Sequence, residues 1–317
     1  MTKIAILDDY QNVALTLADW SDLPSGVDIT VFNEPLGDLE QAASSLNAFD
    51  IICIMRERTP FPRAMFERLK NLKLLVTSGM RNAAIDLEAA REFGVTVCGT
   101  NSPAHATVEM TWGLILSLAR NIPTEDRNMR EGRWQTTLGT DIKGKVLGVV
   151  GLGRLGSQVA AIGLAFGMEV VAWSQNLTEA RCAEIGVRRA SSKEDLFRTA
   201  DVITIHLKYS ERTHALVGPE EFGWMKPTAN LINDSRGPIV DESALIETLN
   251  AGRIGGAAID VYDLEPLPAD HPLRSCPNCV LTSHIGYVTE ETYRVFYGET
   301  VDAVQAYLSG TPVHVLA

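Results

Sequence analysis

The chain lacks any apolar run near the roughly 20 residues that a bilayer-spanning helix needs. Its start also lacks the long apolar core and the small-residue cleavage site of a signal peptide, and leads directly into a strand-like segment. These two absences argue against a membrane or secreted protein, and we expect a cytoplasmic one.

Basic charge is scarce. The 317 residues include 28 Lys and Arg against 40 Asp and Glu, which gives a formal net charge of −12. Such an acidic chain repels the phosphates of nucleic acids and of anionic membranes, so we expect neither as a partner. An anionic small-molecule substrate would need a local cluster of basic groups.

Cysteine is scarce as well, with five residues, an odd number. Cys276 and Cys279 have CxxC spacing, but no second pair of Cys or His follows at a spacing typical of zinc sites. We therefore predict neither a disulfide framework nor a metal centre.

The composition itself is that of a globular protein, with 45% hydrophobic and 21% charged residues, and the length allows about two domains. In residues 1–100 strand patterns alternate with helix patterns, which predicts a parallel sheet covered on both faces. The predicted strands are 4–7, 29–32, 51–55, 74–77 and 96–98, and the predicted helices are 13–18, 39–46, 63–69 and 86–93.

A second alternating unit follows a long helix predicted at 104–121 and a polar stretch, 124–144, predicted to be an irregular arm. Trp134 in this arm is either an ordinary packing residue or part of a subunit interface. The predicted strands are 146–150, 169–173, 202–206, 229–233, 257–261 and 280–282, and further helices are predicted at 241–251 and 290–308.

A glycine motif opens this second unit. The strand pattern at 146–150 leads into Gly151-x-Gly153-x-x-Gly156, then a helix pattern, then the strand at 169–173. In dinucleotide-binding turns the first glycine makes the tight bend, the second lets the backbone approach a pyrophosphate, and the third lets helix pack on strand. A chance glycine cluster at a helix start is the alternative, but the strand–turn–helix–strand context favours a dinucleotide site.

The type of dinucleotide stays open. An acid about 20 residues after the glycines usually binds the ribose hydroxyls, and Ser174 stands at that place. No carboxylate there repels a 2′-phosphate, yet 174–176 contain no Arg or Lys to attract one, and Arg181 is too far along the chain to count. NAD is slightly favoured over NADP.

Three polar residues lie at or beyond the ends of the later predicted strands, where open α/β sheets bind ligands: Arg236, Glu265 and His284. Singly, each could be a solvated or structural side chain. Together they suit hydride transfer to a 2-oxo acid. Arg236 can bind the carboxylate and polarise the carbonyl, His284 can exchange the proton, and Glu265 can orient the imidazole.

Gly151-Leu-Gly-Arg-Leu-Gly156, Asn233-Asp-Ser-Arg-Gly237, Asp260-Val-Tyr-Asp-Leu-Glu265 and His284-Ile-Gly286 resemble motifs of the D-isomer-specific 2-hydroxyacid dehydrogenase family, over nearly the whole chain. The resemblance implies an α/β fold with two doubly wound parallel-sheet domains. A Rossmann cofactor domain, 101–284, would be inserted into a flavodoxin-like substrate domain, 1–100 completed by 285–317. It also implies that Arg236, Glu265 and His284 form the catalytic triad.

The same resemblance implies the binding residues. Those for the cofactor are Thr107, Gly151, Gly153, Arg154, Leu155, Gly156, Ser174, Gln175, Asn176, His206, Leu207, Asp234, Ser235, Asp260, His284 and Gly286. Those for the substrate are Arg56, Gly79, Met80, Arg81, Arg236 and His284, with Arg58 also near an anionic tail. The backbone amides of Met80 and Arg81 would hold the substrate carboxylate, and Asp260 would lie near the nicotinamide amide.

Some residues depart from the family pattern. Arg81 replaces a frequent second glycine, and His206-Leu-Lys-Tyr209 lacks a frequent proline at the place where the family packs the adenine. Glu265, where formate dehydrogenases have glutamine, argues against that activity.

The expected activity is reduction of a small 2-oxo acid, such as glyoxylate, hydroxypyruvate or pyruvate, with NAD or NADP as cofactor. The resemblance also implies a homodimer formed through the cofactor domain. Two alternatives stay open. One is a phosphoglycerate dehydrogenase-like enzyme, although the chain ends at Ala317 and we expect no further regulatory domain. The other is a non-catalytic NAD-sensing binding protein on the same fold.

Overall fold

The computed structural model describes residues 1–317 and divides them into two compact units. Unit 1 consists of residues 1–103 and 288–317, and unit 2 of residues 104–287. Each unit is built on one parallel sheet with helices, which confirms the predicted fold class.

Unit 1 has a five-stranded sheet in the order β2-β1-β3-β4-β5, the doubly wound order of flavodoxin-like folds. Its central strands β3 and β4 are buried along their whole length, as expected for strands covered on both faces. The strands are β1 (Thr2–Ile6), β2 (Val27–Val31), β3 (Ile51–Ile54), β4 (Leu74–Thr77) and β5 (Thr96–Gly99).

Five helices accompany this sheet. They are α1 (Ala14–Leu17), α2 (Leu39–Leu46), α3 (Arg63–Arg68), α4 (Leu87–Glu92) and α12 (Glu290–Leu308). Asp38 and Gln41 form a capping box that starts α2. The last helix, α12, packs on α1 and β4 and buries Tyr293, Phe296 and Tyr297, so the end of the chain completes the core of unit 1.

Unit 2 has a seven-stranded sheet in the order β12-β11-β10-β9-β6-β7-β8. The strands are β6 (Val146–Val150), β7 (Glu169–Trp173), β8 (Arg188–Arg189), β9 (Val202–Ile205), β10 (Asn230–Asn233), β11 (Gly256–Ile259) and β12 (Cys279–Leu281). The helices are α5 (His105–Ala119), α6 (Ile122–Arg130), α7 (Arg154–Ala165), α8 (Glu179–Ile185), α9 (Lys193–Thr199), α10 (Pro219–Trp224) and α11 (Glu242–Asn250). All strand pairs are parallel, so the carboxyl ends of β6, β9, β10, β11 and β12 share one edge.

The prediction of an irregular arm over 124–144 is wrong in its first part, because α6 occupies Ile122–Arg130. Pro123 lies in the first turn of α6, where a missing N–H costs nothing, and does not simply terminate the preceding helix. Asn121, with a φ of 53°, provides the bend between α5 and α6. No helix of the structure combines the length and the apolar character needed to cross a membrane.

Candidate active site

The glycine turn after β6 has the shape that a dinucleotide needs. A β-carbon at Gly151 would lie 2.7 Å from the carbonyl oxygen of His206, and one at Gly156 would lie 2.0 Å from the carbonyl oxygen of Gly151. Both positions therefore exclude a side chain. A β-carbon at Gly153 would meet no protein atom within 4 Å, so this part of the turn is open to a phosphate. The turn fits the pyrophosphate of a nicotinamide dinucleotide.

A cavity of about 430 Å³ adjoins this turn. Its walls include Gly153, Ser174, Asn176, His206 and Leu207, all predicted to bind the cofactor. Gln175, also predicted, is exposed and does not line the cavity. Arg154 and Leu155 belong to the first turn of α7 and do not line it either.

Arg181 lines the same cavity, although it is not among the predicted cofactor residues. It lies on α8, and its Nε donates a hydrogen bond to the carbonyl oxygen of Leu152, at a distance of 3.4 Å. Lys208, just after β9, is a second basic wall residue that was not predicted. Arg181 is several residues beyond Ser174 in the sequence, so its position along the chain did not indicate a role in the site. The turn between β7 and α8 brings Arg181 back beside the glycines.

Behind the glycine turn lies a buried polar cluster. Nε2 of His206 is 2.9 Å from Oγ1 of Thr204, and Nδ1 of His206 is 4.0 Å from Oδ1 of Asp234. Burial lowers the pKa of His206 to about 4, so its ring is neutral at pH 7.

Asp234 is the second member of this cluster. Its Oδ2 accepts a hydrogen bond from the hydroxyl of Thr111, whereas its buried Oδ1 has no hydrogen-bond partner. Burial, helped by the nearby carboxyl of Asp260, raises the pKa of Asp234 to about 7. A buried carboxyl with one unbonded oxygen beside the glycine turn can receive a donor from a ligand.

His284 and Glu265 form a close pair. His284 follows β12 by three residues, and its Nδ1 lies 2.6 Å from Oε2 of Glu265. Oε1 of Glu265 accepts a hydrogen bond of 2.9 Å from the backbone N–H of Tyr262, so the carboxylate is fixed by its own loop. A carboxylate can only accept, so Nδ1 carries the proton and Nε2 is the nitrogen available for proton exchange with a substrate.

Asp260 holds the backbone beside His284. Its Oδ1 accepts from the hydroxyl of Thr282 at 2.6 Å and the amide of Ile285 at 2.9 Å, and its Oδ2 accepts from the amide of Gly286 at 2.8 Å. Burial raises the pKa of Asp260, and these hydrogen bonds oppose that shift. This anchoring is not among the predictions from the sequence, although an acid directly after a buried strand is a signal for it.

Thr107 lies near the same anchor. A β-carbon at Gly286 would lie 3.1 Å from Oδ2 of Asp260 and 3.8 Å from Cγ2 of Thr107. The structure therefore brings together three of the predicted cofactor residues beside His284.

Arg236 stands on a turn clamped by Asn233. The side-chain amide of Asn233 donates to the carbonyl oxygen of Arg236 at 3.0 Å, and its oxygen accepts from the amide of Ser235 at 3.2 Å. A β-carbon at Gly237 would lie 2.1 Å from the carbonyl carbon of Tyr262, so this turn packs closely on the loop that carries Glu265. The hydroxyl of Ser235 donates to the carbonyl oxygen of Leu207.

The three predicted catalytic residues thus follow three neighbouring strands. Asn233 pairs with Ile259, and Ile259 pairs with Leu281, so β10, β11 and β12 end in one row. A guanidinium and a carboxylate-backed imidazole on adjacent loops can bind a carbonyl compound and exchange a proton with it.

The remaining predicted residues belong to unit 1. Gly79, with a φ of 90°, donates its amide to Oγ1 of Thr100 at 2.9 Å. The next two amides, of Met80 and Arg81, donate no hydrogen bond within the protein, and both side chains are exposed. Two successive unbonded amides can bind a carboxylate.

Arg56 and Arg58 of unit 1 are each held by protein groups. Nη1 of Arg56 donates to the carbonyl oxygen of Ser78 at 3.0 Å, and its Nη2 is 3.6 Å from Oε1 of Glu57. Nη1 of Arg58 donates to the carbonyl oxygen of Asp8 at 2.7 Å, and its guanidinium lies 4.5 Å from the centre of the Tyr10 ring.

The chain is similar to known proteins along most of its length. The family model described as "D-isomer specific 2-hydroxyacid dehydrogenase, NAD binding domain" matches residues 112–286. D-3-phosphoglycerate dehydrogenase of Bacillus subtilis is 34% identical over 99% of the chain, and glyoxylate reductase of Aeropyrum pernix is 41% identical over 66% of it. The chain spans 58% and 65% of the lengths of these two relatives.

Among solved structures, phosphoglycerate oxidoreductase from Vibrio cholerae is 34% identical and superposes with a TM-score of 0.93. The match covers 98% of this chain and 100% of that one.

Proposed function

We propose, because the chain belongs to the D-isomer-specific 2-hydroxyacid dehydrogenase family, that it reduces a small 2-oxo acid to the D-2-hydroxy acid with a nicotinamide dinucleotide. The observation that carries this proposal is the 2.6 Å contact between Nδ1 of His284 and Oε2 of Glu265. It supports an acid–base role for His284, because a carboxylate behind the ring stabilises the imidazolium that donates a proton.

His284 holds the proton at Nε2 and donates it to the substrate's carbonyl oxygen as negative charge develops there. Glu265 keeps the ring in place and in the tautomer with hydrogen on Nδ1. When bound, the nicotinamide supplies the hydride. In the reverse direction, Nε2 accepts the proton of the hydroxy acid.

Arg236 binds the oxo acid. Its planar fork of N–H donors suits a carboxylate and the adjacent carbonyl oxygen. The Asn233 clamp fixes the backbone from which this side chain extends. Separately, the unbonded amides of Met80 and Arg81 in unit 1 are proposed as donors that can bind a carboxylate.

The proposed substrates are glyoxylate, hydroxypyruvate, pyruvate and similar small acids. A second candidate, 3-phosphoglycerate, is favoured by the names of the Bacillus and Vibrio relatives. Against it, Arg56 and Arg58 already contact Glu57, Ser78, Asp8 and Tyr10, which leaves them fewer donors for a phosphate. We therefore place the unphosphorylated acids first.

We further propose that the protein is a homodimer formed through unit 2. Trp134 and Leu138 are 73% and 95% exposed and follow α6, which carries the exposed Ile122 and Met129. Four large apolar side chains on one 17-residue stretch, 122–138, would be buried favourably against a second copy.

The test is an assay of purified protein with a panel of oxo acids, including 3-phosphohydroxypyruvate, each with NADH and with NADPH. The proposal expects turnover of at least one small oxo acid and loss of that turnover in His284→Ala. Dinucleotide binding without turnover of any oxo acid would instead identify a sensing protein and overturn the enzyme proposal.

A further inference from the structure

We propose that this chain selects the 2′-phosphorylated cofactor, NADP(H), and that Arg181 is the residue that binds the 2′-phosphate. This inference rests on the proposed function, because it concerns the dinucleotide that the glycine turn would bind. Three features of the cavity beside that turn support it.

The first feature is the residue at the end of β7. A carboxylate at this place would bind the two ribose hydroxyls and repel a phosphate. Ser174 stands there, partly buried and lining the cavity. A hydroxyl carries no charge and can donate a hydrogen bond to a phosphate oxygen, so Ser174 accepts the 2′-phosphate without electrostatic cost.

The second feature is the position of Arg181. The hydrogen bond from its Nε to the carbonyl oxygen of Leu152 ties the guanidinium to the glycine turn itself. Nη1 pairs with Oε2 of Glu184 at 2.8 Å, while Nη2 donates no hydrogen bond within the protein. Arg181 therefore presents donors at the wall of the cavity that Ser174 also lines.

The third feature is the charge of the cavity wall. Arg181 and Lys208 are its only charged wall residues, and no carboxylate lines it. This local positive charge contrasts with the net charge of −12 of the whole chain. A wall with two cations and no anion favours a ligand with an additional phosphate at this end.

The ion pair between Arg181 and Glu184 does not prevent this role. Both side chains are substantially exposed, at 40% and 61%, and exposed ion pairs contribute little to stability. A phosphate dianion is a stronger partner for a guanidinium than one solvated carboxylate. It can therefore share the guanidinium of Arg181 with Glu184, or take the place of Glu184.

The experiment measures binding, not catalysis. The full-length protein is titrated with NADPH and NADH, followed by fluorescence, and with adenosine 2′,5′-bisphosphate and 5′-AMP, followed by calorimetry. The two fragments differ only in the 2′-phosphate. We expect NADPH and the bisphosphate to bind at least roughly 10-fold more tightly than NADH and 5′-AMP, as for one charged hydrogen-bonded contact.

Variants locate the effect. Arg181→Leu should weaken the binding of NADPH and of the bisphosphate by roughly 10–100-fold, and should change the affinity for NADH by much less. Ser174→Asp should reverse the preference. Arg188→Leu is the matched control, since Arg188 is exposed, pairs with Asp195 and does not line the cavity. It should leave all four affinities as in the wild type.

The failures are distinguishable. Equal affinities for the two cofactors, or an equal loss of both in Arg181→Leu, would overturn the 2′-phosphate inference. Oxo-acid turnover with NADH would then still support the proposed function. If neither dinucleotide binds, both proposals fail.

Discussion

Nδ1 of His284 and Oε2 of Glu265 lie 2.6 Å apart, although 19 residues separate them in the chain. Nothing in the local sequence of either residue requires this contact. It forms because β11 and β12 are adjacent parallel strands and both loops leave the same edge of the sheet. The proposed proton transfer depends on this one distance.

Replacing either member of the pair tests its role. His284→Ala should lower kcat for oxo-acid reduction by about 10²–10⁴-fold, the usual contribution of general acid catalysis. Glu265→Gln removes the carboxylate that positions the ring and should lower kcat by roughly 10-fold, because the imidazole is held less firmly. Steady-state kinetics would measure both effects.

Asp263→Asn is the control for Glu265→Gln, because Asp263 lies in the same loop but does not contact the ring. An unaltered kcat in Glu265→Gln would remove Glu265 from the mechanism.

The Asp260 anchor predicts a linked loss of stability and activity. In Asp260→Asn one oxygen becomes a donor, so the side chain can no longer accept from Thr282, Ile285 and Gly286 together. The free energy of unfolding should fall by about 1–3 kcal/mol, and activity should fall with it. Thr282→Val removes one donor only and should have a smaller effect on both. Urea unfolding and kcat of the three proteins would show whether this order holds.

Asp234 predicts a pH dependence of stability. Its pKa rises from 3.8 in the unfolded chain to about 7 in the folded protein, so the folded state holds its proton more tightly. The contribution of Asp234 to the free energy of unfolding is therefore fully present below about pH 4 and declines as the pH rises toward 7. Asp234→Asn should stabilise the protein at pH 8 relative to the wild type, by on the order of 1–4 kcal/mol, and not at pH 4.

The difference between variant and wild type is the quantity to measure, because His206 acts in the opposite direction. Its pKa is lowered to about 4, so its contribution is lost as pH falls below 6.5. At pH 8 His206 is neutral in both proteins, so the difference there reports Asp234 and its repulsion by the carboxyl of Asp260. A difference independent of pH would contradict the prediction.

The glycine turn offers a matched pair of variants. Gly156→Ala places a β-carbon 2.0 Å from the carbonyl oxygen of Gly151, so it should destabilise the fold by about 1–3 kcal/mol. Gly153→Ala meets no protein atom and should keep the stability of the wild type, yet weaken dinucleotide binding by filling the space for the pyrophosphate. Thermal unfolding and a dinucleotide titration separate the two; unimpaired binding in Gly153→Ala would remove the turn from the cofactor site.

The exposed apolar stretch 122–138 predicts the oligomeric state. The wild type should sediment as a dimer, and the double variant Trp134→Glu, Leu138→Glu should sediment as a monomer because two charges cannot be buried in the interface. Leu15→Glu changes a leucine of α1 in unit 1 that is 52% exposed, and this variant should remain dimeric. A monomeric wild type would reject the homodimer.

Much of the fold was predictable from hydrophobic pattern and caps. The strands at 146–150 and 169–173 and the helices at 39–46 and 290–308 have the predicted bounds, since each has a clear apolar period and a clear end. The helix α6 was missed because Pro123 suits a helix start as well as a helix end.

The site was less predictable, because its contacts join residues that are distant in the chain. Motif spacing pointed to Arg236, Glu265 and His284, but it could not show that Asp260 binds the amides of Ile285 and Gly286. Arg181 was set aside on its distance along the chain, and only the fold of α8 brings it to the cavity.

His284 has a φ of 55°, a left-handed conformation that few residues other than glycine adopt without strain. The surrounding structure must therefore hold it there, and the two amides bound by Asp260 follow it directly in the chain. Once that hold loosens, the backbone can relax locally while both sheets stay intact. On gradual heating, we accordingly expect turnover to disappear several degrees before the circular dichroism of the helices changes.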